Sequence, residues 1–189
     1  GEPNDTNAHP IFDEDNEIVV IHNGIIENYK VLKTRLEREG YIFKTDTDTE
    51  CLVHLIRSHH KNVMDFETAV RLTLAEVDGT YGMCVLSKFE PEKLIAARKG
   101  SPLVLGVGEG EFIVASDATA IIPYTRQVLY LLDGEMVICT RGKFEIKTIQ
   151  DEKIERELEE ITFDLEEIEK GGYEHFMLKE INEQPDSIT

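Results

Sequence analysis

The chain has 189 residues, of which 41% are hydrophobic, so it is long enough to bury a core and wholesale disorder is excluded. Its 38 acidic against 20 basic residues give a formal net charge of −18, which argues against nucleic acids and anionic membrane surfaces as partners. No apolar stretch approaches the ~20 residues of a membrane span, and three widely spaced cysteines suit neither a disulfide framework nor a zinc site, so a cytoplasmic protein is expected.

The first half of the chain carries the patterns of a loop, a strand and three helices. Residues 1–16 are polar and are predicted to form a loop that leads into a strand over residues 17–22. Apolar residues then recur at helical spacing. This predicts helices over residues 29–39, from residue 47 onward, and over residues 65–77. Thr47 and Glu50 have the spacing of a capping box, which marks the start of the second helix.

From Tyr81 onward the pattern changes to that of short strands separated by glycine and proline turns. The strands are predicted over residues 81–87, 93–98, 103–107, 111–115, 128–132, 136–140 and 143–148, with a short helix after Asp117. Their close spacing favours antiparallel hairpins, because a parallel connection needs about a dozen residues or more. Helices followed by antiparallel strands indicate an α+β fold. The acidic residues 151–170 have a weak helical period and predict a solvent-facing helix.

Asn23 and Gly24 follow a β-branched run and are the first candidate site. We interpret the pair as a turn at a sheet end, which can aim one amide side chain and one backbone N–H at the same point. Two such donors would form an oxyanion hole for a carbonyl oxygen that gains charge during a reaction. Asn-Gly also forms ordinary strand-to-loop turns, and taken alone the pair favours neither interpretation.

Asp48 lies at the predicted start of the second helix, where backbone N–H groups are exposed. A carboxylate there either caps the helix or holds the ammonium group of a bound substrate. Capping is the commoner role, but Thr47 can cap this helix and would leave Asp48 free. Cys51, on the first turn, has no accompanying histidine and acid, so we expect a half-buried structural thiol. Cys84 and Cys139 lie in predicted strands and are expected to pack in the core.

Several segments together resemble the glutaminase domain of the glutamine–fructose-6-phosphate amidotransferases. The matching segments are GEP at 1–3, NAHP at 7–10, HNGIIEN at 22–28, TDTE at 47–50, GTYG at 79–82, ARKGSPL at 97–103, ASD at 115–117 and HFMLKEINEQP at 175–185. The similarity runs nearly from end to end in order and spacing. The last segment is the most discriminating, because it resembles the join between this family's glutaminase and sugar isomerase domains.

The resemblance implies a four-layer α/β/β/α sandwich of the N-terminal-nucleophile type, with antiparallel sheets and incomplete at its N-terminus. It implies a partial class II glutamine amidotransferase domain over residues 1–170, and over 171–189 a junction toward a sugar isomerase domain outside this sequence. By position, the Asn23 side chain and the Gly24 N–H would form the oxyanion hole. Asp48 and Gly24 would bind the substrate, Asp48 through the α-ammonium group of glutamine. His22 would support the Asn-Gly segment.

The family's nucleophile, an amino-terminal cysteine, would lie before Gly1, as would the arginine that binds the glutamine carboxylate. None of the three cysteines matches the nucleophile, so we expect residues 1–189 alone to lack glutaminase activity. The resemblance implies transfer of the glutamine amide nitrogen to fructose-6-phosphate, giving glucosamine-6-phosphate and glutamate. It implies a cytoplasmic enzyme, homo-oligomeric at full length, without a cofactor, metal, nucleic acid or membrane partner. The alternatives are a phosphoribosylamine- or asparagine-forming amidotransferase of the same class and a non-catalytic glutamine-binding module.

Overall fold

The computed structural model describes residues 2–162, 177–178 and 181–182. Its helices are α1 (Tyr29–Arg38), α2 (Thr49–Val63) and α3 (Phe66–Glu76), with a short 3₁₀ turn at Ala118–Ala120. Its strands are β1 (Ile11–Phe12), β2 (Ile18–Ile26), β3 (Gly79–Ser87), β4 (Leu94–Lys99), β5 (Val104–Val107), β6 (Phe112–Ala115), β7 (Gln127–Tyr130), β8 (Glu135–Thr140), β9 (Lys143–Thr148), β10 (Lys153–Ile154) and β11 (Glu159–Glu160). The three helices predicted before residue 80 and the strands predicted from Tyr81 onward are therefore confirmed, with ends shifted by up to two residues.

The strands form two sheets in which every pair of named neighbours is antiparallel. The larger sheet has the order β1-β2-β3-β4-β8-β9-β10, and the smaller one has the order β11-β7-β5-β6. Hairpins join β1-β2, β3-β4, β5-β6, β8-β9 and β9-β10, whereas the short connections β4-β5 and β7-β8 pass from one sheet to the other.

Three apolar clusters define the layers of this fold. Helices α1–α3 pack on one face of the larger sheet, where Leu36, Leu52 and Phe66 are fully buried. The opposite face of that sheet packs on the smaller sheet through residues such as Val137 and Leu105. The outer face of the smaller sheet is covered in part by the 3₁₀ turn and the residues that follow it. The predicted α+β sandwich with antiparallel sheets is confirmed.

Strand β2 is longer than the sequence indicates. The predicted strand ends at residue 22, but β2 continues through Asn23 and Gly24 to Ile26 and pairs with β3 along its whole length. Asn23 lies opposite Gly82, and Gly24 lies opposite Tyr81. The prediction of a turn at Asn-Gly is therefore wrong, because pairing with β3 keeps this segment extended.

Two other local predictions also need correction. Residues 1–16 contain strand β1, because the Asp13 carboxylate accepts hydrogen bonds from the Glu17 and Ile18 N–H groups and closes a tight hairpin to β2. Helix α2 begins at Thr49 rather than Thr47, and no capping box forms. The Glu50 carboxylate instead accepts hydrogen bonds from the N–H groups of residues 44 and 45.

The acidic segment is extended where the structure describes it. Residues 151–162 contribute β10 to the edge of the larger sheet and β11 to the edge of the smaller one, so the helix prediction is wrong for this part. Ile154 and Leu158 pack against the core between the sheets, and Ile161 is buried against the smaller sheet. Their spacing fits a chain that crosses between two sheet edges as well as it fits a helix. Residues 163–170 lie outside the described residues.

One face of β1–β3 is left uncovered by the smaller sheet. Phe12, Ile21 and Leu86 point to the same side as the core between the sheets, yet they are 46%, 47% and 44% exposed. Strand β6 is the edge of the smaller sheet on this side, and it has no further strand partner within the described part of the chain. The apolar face therefore continues beyond the sheet that covers it.

Among the helices that the structure describes, none is long and apolar enough to span a membrane.

Candidate functional site

A cleft of about 340 Å³ opens where the larger sheet passes beyond the edge of the smaller one. Asn23 lines it from β2, Gly82 and Cys84 line it from β3, and Ser116 lines it just after β6. Asn23 faces Gly82 across the strand pair, and a Cβ atom at Gly82 would lie 3.1 Å from the Pro102 carbonyl oxygen and 3.4 Å from Cβ of Ser101. The predicted amide donor therefore lies at a cleft rather than in a packed core.

Gly24 occupies a position that only glycine fits. Its φ is +138°, a conformation that other residues rarely adopt. A Cβ atom there would lie 2.1 Å from the Thr80 carbonyl oxygen and 3.0 Å from Nε2 of His22. The close approach of two strands, rather than a turn, explains the glycine. Asn23 lines the cleft, whereas Gly24 is exposed and lies outside the residues that line it.

His22 holds β2 to the rest of the site. The ring is 5% exposed, with Nδ1 3.1 Å from the Thr49 hydroxyl and Nε2 3.3 Å from the Thr80 carbonyl oxygen. Because a carbonyl oxygen only accepts, Nε2 carries the hydrogen and Nδ1 of the neutral ring accepts from Thr49. Burial lowers the pKa of His22, although the Thr80 hydrogen bond and the Asp48 charge oppose this shift. The contacts fit the predicted supporting role.

Asp48 lies beside the same strand. Its side chain makes no capping hydrogen bond to α2, and its Oδ2 instead accepts the backbone N–H of Ile26 at 2.7 Å. Thr47 does not take the N-cap position either, since Asp48 occupies it, and the Thr47 hydroxyl lies 2.8 Å from the Thr45 hydroxyl. Within the described residues Oδ1 of Asp48 has no hydrogen-bond donor, so one oxygen is open to a ligand. Like Gly24, Asp48 lies beyond the residues that line the cleft.

All three cysteines are buried, and none has the properties of a thiolate nucleophile. Burial raises the pKa of Cys51, Cys84 and Cys139 to about 12 in each case. Cys51 is fully buried rather than half-buried, and its thiol lies 3.5 Å from the Tyr29 carbonyl oxygen. The expectation of core packing is confirmed for Cys84 and Cys139. That Cys84 also lines the cleft was missed, because it depends on the register between β2 and β3.

A separate group of carboxylates has a spacing that could hold a metal ion. Oxygens of Asp13, Asp15 and Glu17 lie within 4.8 Å of one another. The Arg57 guanidinium already contacts this group, at 2.7 Å from Glu17, 3.1 Å from Asp15 and 3.8 Å from Asp13. The side chain of Arg57 therefore supplies a positive charge to the cluster.

Comparison with known proteins gives the family. Residues 3–123, more than half of the chain, match the family described as the glutamine amidotransferase domain. The chain belongs to this family. The resemblance inferred from the sequence is thereby confirmed, and so is the fold class that it implies.

Two relatives of this glutamine amidotransferase domain carry the same name, glutamine–fructose-6-phosphate aminotransferase (isomerizing). The protein from Chlorobaculum tepidum is 54% identical over 188 residues, which are 98% of this chain and 31% of the relative. The protein from Bacteroides thetaiotaomicron is 52% identical over 191 residues, covering 100% of this chain and 31% of the relative. The chain thus spans about a third of the length of these curated relatives.

A solved structure shows a similar fold at lower identity. It is the glutamine phosphoribosylpyrophosphate amidotransferase from B. subtilis, complexed with ADP and GMP. It has a TM-score of 0.64 and 25% sequence identity, and the match covers 76% of this chain and 32% of that one. All three comparisons place the chain among glutamine amidotransferase domains. The roles of Asn23, Gly24 and Asp48, and the division into residues 1–170 and 171–189, stay predictions. Most of 171–189 lies outside the described residues.

Proposed function

We propose that this chain forms the part of a glutaminase domain that binds glutamine and polarises its side-chain carbonyl. The Asn23 amide and the Gly24 N–H form the oxyanion hole, and Asp48 binds the α-ammonium group. One observation carries this proposal: Asp48 does not cap its helix but is held by Ile26, on the strand whose Asn23 opens onto the cleft. The site thus offers donors for an oxygen on β2 and, at the start of α2 beside that strand, an acceptor for a cation.

The proposed chemistry is acyl transfer in two steps. A cysteine thiolate attacks the carboxamide carbon of glutamine, and the carbonyl oxygen becomes an oxyanion that faces Asn23 and Gly24. Fixed dipoles stabilise this charge without reorganising. The C–N bond breaks, the nitrogen takes up a proton and ammonia leaves, so a thioester remains. Water then attacks the thioester, which releases glutamate and restores the thiol.

The nucleophile in this proposal belongs to a segment outside the 189 residues. The thiols of Cys51, Cys84 and Cys139 are buried, and a pKa of about 12 keeps each protonated near neutral pH. The uncovered face that bears Phe12, Ile21 and Leu86 supports the proposal. A strand added beside β6, which ends its sheet in the described part of the chain, would cover that face. Such a strand would also pass close to Asn23. By itself the chain would then lack glutaminase activity.

We further propose the setting in which this domain acts. Residues 1–170 form the partial glutaminase domain, and residues 171–189 lead to an isomerase domain that binds fructose-6-phosphate. The ammonia released here would convert that sugar phosphate to glucosamine-6-phosphate. The full-length protein would be a cytoplasmic homo-oligomer that needs no cofactor. The relatives named glutamine–fructose-6-phosphate aminotransferase support this choice.

A product assay on the full-length protein tests the proposal. Glutamine labelled in its amide nitrogen is supplied with fructose-6-phosphate, phosphoribosyl pyrophosphate or aspartate in separate reactions. We expect labelled glucosamine-6-phosphate from the first reaction alone. Labelled phosphoribosylamine would favour the activity named for the similar solved structure. Labelled asparagine would favour an asparagine-forming enzyme, and glutamine binding without turnover would favour a binding module.

A further inference from the structure

Glu50 and His54 form a buried pair beneath the loop that leads to Asp48. They are 2% and 1% exposed, one turn apart on α2, with Nε2 of His54 3.4 Å from Oε1 of Glu50. The His54 ring packs against Tyr41 and Phe43, at centroid distances of 5.2 and 4.8 Å. Burying a carboxylate is costly unless hydrogen bonds compensate for the lost water, so this pair needs a structural or functional reason.

The hydrogen bonds of Glu50 all reach back to the loop before the helix. Oε1 accepts the Lys44 N–H at 2.7 Å, and Oε2 accepts the Thr45 N–H at 2.7 Å and the Thr45 hydroxyl at 2.8 Å. Burial alone would raise the pKa of Glu50, but the contact with His54 and these donors outweigh it, and the pKa is lowered. The group is therefore an anionic anchor for this loop.

The anchor continues from Thr45 to the residue beside Asp48. The Thr45 hydroxyl lies 2.8 Å from the Thr47 hydroxyl and accepts the Thr47 N–H at 3.2 Å. Asp48 follows directly, and its carboxylate is then held on the other side by the Ile26 N–H. The backbone of Asp48 is thus fixed by the Glu50 network, and its side chain is fixed by strand β2.

We propose that Glu50 is a positioning residue, which sets the orientation of the Asp48 carboxylate toward the ammonium group of the substrate. This inference rests on the proposed role of Asp48. Removing the Glu50 charge frees the loop at Lys44 and Thr45, and Oδ1 of Asp48 loses its fixed direction. Recognition of the ammonium group then weakens, whereas contacts to the rest of the substrate are kept.

The test uses the full-length protein and two ligands that differ only in the ammonium group. The KM for glutamine is measured together with the inhibition constant of 4-carbamoylbutanoate, which has the same skeleton without the amino group. In Glu50→Gln an amide NH₂ faces a backbone N–H donor in place of an acceptor. We expect the KM for glutamine to rise about tenfold, with kcat and the inhibition constant within about twofold of the parent.

Thr45→Val is a milder second variant, because it removes one hydroxyl from the network without placing a new donor in it. We expect its KM for glutamine to rise about threefold and the inhibition constant of 4-carbamoylbutanoate to stay unchanged. Asp13→Asn is the matched control, since Asp13 is another buried carboxylate that accepts two backbone N–H groups, outside this loop. Asp13→Asn should change the KM for glutamine and the inhibition constant of 4-carbamoylbutanoate by the same factor, or leave both unchanged.

If the Glu50 and Thr45 variants bind glutamine and 4-carbamoylbutanoate more weakly by the same factor, the inference is overturned, because this would indicate a general loss of structure. An unchanged KM in both would overturn it too. Asp48→Asn, measured alongside, separates this inference from the proposed function. If Asp48→Asn also leaves the KM for glutamine unchanged, the proposed role of Asp48 fails. If Asp48→Asn raises it and the other two variants do not, only the role of Glu50 fails.

Discussion

The backbone N–H of Ile26 donates a hydrogen bond to Oδ2 of Asp48 at 2.7 Å. This contact joins the start of α2 to the strand that carries Asn23 and Gly24. His22 makes a second link between the same two elements through Thr49. An acidic group at a helix start and an amide on a strand are thereby held as one unit, which is what recognition of an amino acid with a reactive side chain requires.

Gly24→Ala tests the close approach between β2 and β3. The added Cβ would meet the Thr80 carbonyl oxygen at 2.1 Å, at a backbone φ of +138°. We expect a loss of about 2–4 kcal/mol in the free energy of unfolding, measured by urea denaturation, and a loss of glutaminase activity in the full-length protein. Gly110→Ala is the control, because its φ is also positive and its Cβ would meet nothing within 4 Å. Equal stability of the two variants would contradict the account.

Asn23→Ala tests the oxyanion hole. The side chain is exposed at the cleft, so its removal should leave the free energy of unfolding nearly unchanged. We expect kcat for glutamine hydrolysis by the full-length protein to fall about 10²- to 10³-fold, with a small change in KM, because one donor to the developing charge is lost. Asn62→Ala removes an exposed amide on α2 and serves as the control. A rise in KM with kcat unchanged would assign Asn23 to ground-state binding instead.

His22 should make the fold less stable in mild acid. Burial lowers its pKa below the ordinary value of 6.5, although Thr80 and Asp48 oppose the shift and His9 adds to it. The unfolded chain therefore binds a proton first as the pH falls, and the stability present above pH 6.5 is lost toward the folded pKa. We expect His22→Gln to lose less free energy of unfolding than the parent between about pH 7 and pH 5. Parallel pH profiles for the two proteins would argue against this.

Local sequence patterns were sufficient to predict most of the helices and strands. The helix stripes, such as the one that buries Leu36 and Leu52, and the short β-branched strands depend on periods that a few residues define. Asp117, after which the sequence predicts a short helix, caps the 3₁₀ turn by accepting the Thr119 N–H. Such features can be recognised from a few neighbouring residues, without knowledge of the rest of the chain.

The errors arise where distant pairing decides between local alternatives. Asn-Gly fits a turn and an extended strand, and only the pairing of Gly24 with Tyr81 selects the strand. The spacing of Ile154 and Leu158 fits a helix and a chain along two sheet edges, and pairing with β9 selects the latter. The contact of Asp48 with Ile26 also depends on tertiary structure, so the sequence could name Asn23 and Asp48 as candidates but could not predict how they are arranged.

The central claim is that Asn23, Gly24 and Asp48 serve a nucleophile supplied from outside residues 1–189. It is tested by treating the full-length protein with a glutamine analogue that carries a diazoketone in place of the carboxamide, and locating the adduct by peptide mass spectrometry. We expect the adduct on a cysteine outside these residues, lost in excess glutamine and formed much more slowly in Asp48→Asn. An adduct on Cys51, Cys84 or Cys139 would contradict the account.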